Sequence, residues 1–168
     1  MKILDNVAVS FDDVLLVPQH SELSSRDEVD LSTMFGRVQV RLPIFASPMD
    51  TVTDTCMQKA MVDSGCLGIH HRYCKSAQLL EAAIYGPIAV APSLGVDFLK
   101  QLKDEDNLGI IFLDVAHGDS KPCLDYAEEA VKLGLTVVSG NIATPGAATR
   151  YYDVGVKILR VGIGGGSA

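Results

Sequence analysis

No apolar run in this chain approaches the roughly 20 residues that a membrane-crossing helix needs, so the sequence excludes a membrane protein of that kind. A secretion signal is also missing. Met1-Lys2-Ile3-Leu4-Asp5-Asn6 has no basic segment leading into an apolar one, and a cytoplasmic protein is expected. Basic charge is short: 14 Lys and Arg against 21 Asp and Glu leave a net charge of −7. That balance argues against nucleic acid as a partner, which calls for a basic face. It does not exclude a phosphorylated small molecule, because converging backbone N–H groups hold phosphate on an acidic protein. Cysteine is sparse. Cys56, Cys66, Cys74 and Cys123 form no C-x-x-C pair, and no Cys/His spacing suggests zinc. Buried free thiols are the plain reading. His70 and His71 are adjacent, so on a strand they would point to opposite faces.

What the chain does have is apolar residues, 48% of 168, enough for one globular domain with a real core. They are grouped in a repeating unit of a short β-branched run, a turn and an amphipathic stretch. Strands are expected over 40–46, 67–70, 88–91, 110–115, 135–139 and 156–161. Helices are expected over 54–64, 76–85, 96–103, 121–133 and 145–153, with Ser76 capping the second and Pro145 in the first turn of the last. Ile110-Ile111-Phe112-Leu113 is apolar on both faces until Asp114, as a parallel strand covered by helices should be.

Alternation with short connections predicts a parallel α/β sheet. An open dinucleotide-binding sheet would carry its glycine fingerprint after the first strand. Here Ser47-Pro48-Met49-Asp50 follows that strand, and the glycine-rich Gly162-Ile163-Gly164-Gly165-Gly166-Ser167-Ala168 follows the sixth. A late phosphate loop fits a (β/α)8 TIM-type barrel, whose usual size is about 250 residues. Six strands in 168 residues make it incomplete, with an open edge. Residues 1–168 are therefore expected to be the N-terminal part of a single catalytic barrel.

Chemistry in such a barrel sits at the C-terminal ends of the strands. Those ends carry Ser47, Met49 and Asp50; His71 and Arg72; Pro92, Ser93 and Gly95; Asp114, His117 and Gly118; Asn141; and finally the glycine loop with Ser167. Taken without further context, Met49 reads as core, Asp114 as a helix cap or ion-pair partner, Asn141 as a turn residue and Arg160 as a salt-bridge partner.

Four motifs then stand in order: Ser10-Phe11-Asp12-Asp13-Val14-Leu15-Leu16-Val17-Pro18, Ala46-Ser47-Pro48-Met49-Asp50-Thr51-Val52-Thr53, Gly140-Asn141-Ile142-Ala143-Thr144, and Arg160-Val161 leading into the glycine loop. From about residue 10 onward the chain resembles the IMP dehydrogenase/GMP reductase family. The Ser-Pro before Met49 and the histidine at position 71, where reductases carry lysine, resemble the dehydrogenase. Val115-Ala116 after Asp114 resembles the reductase. The balance favours the dehydrogenase, with GMP reductase and a non-catalytic half-barrel that complements a separate C-terminal half as the alternatives. Tyr85-Gly86-Pro87 leads straight to the third strand, so the CBS pair common in the dehydrogenases is expected to be absent.

The resemblance implies oxidation of IMP to XMP with NAD. A cysteine attacks C2 of the purine, hydride passes to NAD, and water hydrolyses the thioimidate. By the same resemblance that cysteine would follow Ala168 directly, so no catalytic residue is expected in residues 1–168 and no turnover from them alone. The resemblance further implies that Ser47, Met49, Asn141 and Ser167 contact IMP, and that Asp114 accepts from a ribose diol of NAD. Gly162, Ile163 and Gly164, with Arg160, would line the cofactor. The carbonyls of Gly164 and Gly166 would hold a potassium ion. The expected partners are the C-terminal half of the barrel and, when complete, three further copies in a homo-tetramer.

Overall fold

The computed structural model describes Val9, residues 11–104 and residues 108–163. A hairpin comes first: β1 (Thr33–Phe35) pairs antiparallel with β2 (Val38–Val40). Its two-residue loop begins with Gly36 at φ +62°, the left-handed conformation that a two-residue hairpin turn with glycine first requires. Six parallel strands follow, alternating with five helices: β3 (Phe45–Ala46), α1 (Thr55–Asp63), β4 (Leu67–Gly68), α2 (Ser76–Ala83), β5 (Ile88–Val90), α3 (Gly95–Asp104), β6 (Ile110–Leu113), α4 (Lys121–Lys132), β7 (Thr136–Ile142), α5 (Pro145–Asp153) and β8 (Ile158–Val161).

Each of these strands lies beside the next one in sequence. β3 pairs with β4, and β5, β6, β7 and β8 pair in order. His70 bridges to Ile88 in parallel and joins the two groups. The order never reverses, which distinguishes a barrel wall from a doubly wound sheet. Among the described residues β3 and β8 do not pair, so the wall is open along that seam.

Residues on the strands alternate between two cores. Ile88, Val90, Ile111, Leu113 and Val137 pack outward against α2 to α5. The helices present helical-period stripes to them, such as Cys123, Tyr126, Ala127 and Ala130 on α4. Ile69, Ala89, Ile110, Phe112 and Val138 point inward. The hairpin plugs this inner side: the Phe35 ring lies 4.7 Å from that of Phe45 and 5.8 Å from that of Phe112. A Cβ on Gly36 would meet the Thr136 side chain at 2.7 Å, which places the turn at the start of β7. The opposite rim, at the strands' C-terminal ends, is left open for ligands.

Three local expectations need correction. The first strand does not run over 40–46. Val40 closes the hairpin and β3 is only Phe45–Ala46, because Pro43 offers no N–H to a ladder. Ser76 is the first helical residue of α2 and not its cap. Lys75 takes the cap position, and its N–H donates to Gln78 Oε1 at 3.0 Å. The fifth strand extends to Ile142, so Asn141 is a strand residue and not part of a turn.

Candidate active site

The rim is built from the residues at which each strand runs out. β6 ends at Leu113, and Asp114 stays tied to the sheet because its N–H donates to the Val90 carbonyl at 2.9 Å. Its carboxylate is held from both sides. Arg160, on β8, donates to Oδ1 at 3.2 Å. Arg72, in the turn after β4, lies 3.4 Å from Oδ2 and donates from the same Nε to the Asp114 carbonyl at 3.0 Å. Two guanidinium groups thus orient one partly buried carboxylate. A carboxylate has about four acceptor positions, so each oxygen keeps capacity for a ligand hydroxyl.

Asp114 and Arg160 line a cavity of 450 Å³ with Ser47, Pro48, Met49, Asp50 and Tyr73. Ser47 and Met49 leave β3 in a tight turn, in which the Met49 N–H donates to the Ser47 carbonyl at 2.8 Å. The Thr53 hydroxyl donates to the same carbonyl at 2.6 Å and fixes the turn from behind. Met49 is 52% exposed, so it is a rim residue and not core. The structure therefore brings Ser47, Met49, Asp114 and Arg160 around one space.

Asn141, Gly162 and Ile163 stand elsewhere on the rim, at the ends of β7 and β8, and do not line this cavity. The Gly162 N–H donates to the Ile142 carbonyl at 2.8 Å. Asn141 Oδ1 is buried and has no partner among the described residues. Ser93 lies in the 3-10 turn Pro92–Leu94 and is exposed. Gly164, Gly166 and Ser167 lie outside the described residues.

Sequence reasoning placed Arg72 on the rim without a role. Its grip on Asp114 spans 42 residues, and nothing local to either residue announces it. Tyr73 was missed altogether. Its ring lies under the Arg72 guanidinium at 4.6 Å and forms one wall of the cavity.

The histidines also differ from expectation. His70 and His71 do not face apart: their rings stack at 4.7 Å and 20°, because β4 ends at Gly68 and strand alternation has lapsed. With Cys74 they bring three ligand-type atoms within 4.8 Å of one another. The geometry does not suit a metal. Lone pairs lie in the ring planes, and two nearly parallel stacked rings send them side by side instead of toward one point. His71 Nδ1 also already accepts the Tyr73 N–H at 3.1 Å, which leaves the proton of a neutral ring on Nε2. Of the cysteines, Cys66 and Cys123 are buried as expected, but Cys56 is exposed and Cys74 half-buried. None of the four lines the Ser47–Asp114 cavity.

An α/β barrel wall with ligand groups gathered at its C-terminal rim defines the class: part of a TIM-type barrel enzyme. The chain belongs to the IMP dehydrogenase/GMP reductase domain family, whose model matches residues 8–84 and 88–168. It is an oxidoreductase family. GMP reductases of Streptococcus pyogenes serotype M49 (strain NZ131) and serotype M5 (strain Manfredo) are each 28% identical over 166 residues, covering 93% of this chain and 50% of theirs. The inosine 5′-monophosphate dehydrogenase of Legionella pneumophila superposes with a TM-score of 0.82 at 26% identity, over 93% of this chain and 51% of that one. The chain thus spans about half the length of the relatives it matches.

Proposed function

We propose that this chain supplies the N-terminal part of the active-site barrel of a cytoplasmic enzyme that oxidises IMP to XMP with NAD. The observation that carries the reading is the Asp114 carboxylate, oriented by Arg72 and Arg160 on the wall of a cavity shared with Ser47 and Met49. A carboxylate held at a strand end is the chemical match for a ribose diol. Its orientation by two arginines before any ligand arrives lowers the cost of ordering the site. Asp50 and Asp114 outweigh Arg160 on the cavity's lining, so the cavity carries no surplus positive charge for a phosphate. That role falls to backbone N–H groups of the glycine loop around Ser167.

Ser47 and Met49 would flank the mononucleotide, with Asn141 and Ser167 completing its contacts, while Asp114, Arg160, Gly162, Ile163 and Gly164 hold the dinucleotide. NAD supplies the hydride acceptor; the residues named here bind and orient. A potassium ion would sit at the Gly164 and Gly166 carbonyls. This reading includes no CBS pair between α2 and β5. The partners would be the remainder of the barrel and further copies in a tetramer.

A second reading, GMP reduction with NADPH, is favoured by Val115-Ala116 and by the names of the S. pyogenes relatives. The test is a paired assay of the complete protein. NADH formation from IMP and NAD supports the dehydrogenase. Consumption of NADPH with GMP, and none of NAD with IMP, replaces it with the reductase. Neither reaction would sink both.

A further inference from the structure

We propose that Tyr151, remote from the cavity, is a positioning residue that sets Asn141 on the rim through Gly118. Tyr151 is fully buried on α5. Its hydroxyl donates to the Gly118 carbonyl at 2.5 Å. Gly118 belongs to the loop between β6 and α4, and its N–H donates to the Asn141 carbonyl at 2.9 Å. The approach is so close that a Cβ on Gly118 would come within 2.7 Å of the Gly140 carbonyl carbon, so no side chain fits at 118. Asn141 returns the tie, donating its N–H to the Val115 carbonyl at 3.2 Å, one residue beyond Asp114. The loops after β6 and β7 are thereby locked into one body, with the Tyr151 phenol as the fastener behind it. The adjacent Arg150 grips Asp119 in the same loop through Nε at 2.8 Å and through Nη2.

This body carries the Asn141 carboxamide, whose oxygen is buried and unpartnered among the described residues. A buried acceptor without a donor is costly, and a hydroxyl or amide N–H of a bound nucleotide would remove that cost. This step rests on the nucleotide reading proposed above. Burial pushes the phenol's pKa up, with Cys123 and Asp119 adding and Ser139 opposing. Tyr151 therefore stays protonated and serves as a constant donor.

The test is Tyr151→Phe in the complete enzyme, since phenylalanine keeps the ring that fills the core and removes only the hydroxyl. The Gly118 carbonyl keeps one partner, the Ser120 N–H at 2.8 Å, so the loop should loosen without unfolding. Loss of one hydrogen bond corresponds to about a fivefold change. Amide exchange at Gly118 and Asn141 should accelerate about fivefold while β6 amides keep their protection. The KM for nucleotide or dinucleotide should rise about fivefold, with kcat within about twofold. Unchanged exchange at Gly118 and Asn141 would overturn the tie. Faster exchange with unchanged KM would overturn the positioning role and leave the contact structural. If the unmutated enzyme binds neither a purine nucleotide nor a nicotinamide dinucleotide, the functional reading fails instead, and the exchange measurement still decides whether Tyr151 holds Asn141.

Discussion

Asp114 shows how much one side chain depends on partners far away in sequence. Without Arg72 and Arg160 it would be a strand-end carboxylate free to rotate; with them it is aimed. Asp114→Asn keeps the size and removes the charge. Hydrogen bonds to charged groups contribute about 1.5–3 kcal/mol, so the KM for the dinucleotide should rise about tenfold or more in the complete enzyme. Both ion pairs are partly exposed, so stability should fall by less than about 1 kcal/mol. A variant with wild-type KM would remove Asp114 from cofactor binding. His70 gives a second expectation at this scale. Burial lowers its pKa, with the bond to the His71 carbonyl opposing, the charge of His71 adding and Asp54 opposing. The unfolded chain, with an ordinary histidine pKa of about 6.5, then binds the proton more readily than the folded one. Stability is complete above that pH and falls as pH drops toward the folded pKa. Denaturant midpoints of the complete protein measured across this window should decline with falling pH in the wild type and much less in His70→Asn. Parallel curves would refute the assignment.

At the scale of elements, the hairpin is what sequence reading missed, and its turn is the place to test it. Gly36→Ala forces a Cβ into a left-handed position, a cost of about 1–2 kcal/mol, and drives it against Thr136. Urea unfolding of the complete protein should report at least that loss; Thr136→Ser, which leaves the backbone conformation unchanged, should not restore it. An unchanged midpoint would mean that the hairpin is not packed on the barrel floor. The six wall strands and five helices were legible because each is a short apolar run followed by a helical-period stripe, a signal contained within the element itself. Val40 and Phe45 belong to different sheets, but apolar residues on either side of Pro43 read as one run. The rim could be named from strand ends alone, which gave Ser47, Met49 and Asp114, while Arg160 came from the motif that carries the family resemblance. The Arg72 grip, the Tyr73 wall and the Tyr151 tie were hidden, because each is a contact between distant elements with no periodicity to betray it. The stacked His70 and His71 were misread for a related reason: alternation holds only while a strand lasts.

For the whole molecule, the consequential feature is the seam. β3 and β8 are unpaired toward each other among the described residues, and between them lies an apolar cavity of 310 Å³ lined by Phe35, Phe45, Ile69, Phe112, Val138 and Ile158. Leu15 and Leu16 add further apolar surface at 95% and 97% exposure. Unpaired strand edges beside exposed apolar side chains are a template for association. The relatives carry about as much chain again, enough to provide the remaining two strands of an eight-stranded wall. Residues 1–168 expressed alone should therefore self-associate or unfold without cooperativity. Mixing them with the rest of the barrel as a separate chain should give a soluble complex of one copy of each, which sedimentation would resolve. The seam also bears on function, because Ser47 and Arg160 flank it as well as the proposed site. Closing the wall should then sharpen nucleotide binding together with stability: titrated affinity for IMP should appear only in the mixture. A cooperative monomer of residues 1–168 that binds IMP unaided would show that the open wall is self-sufficient, and the proposal that this site needs the rest of the barrel would fall.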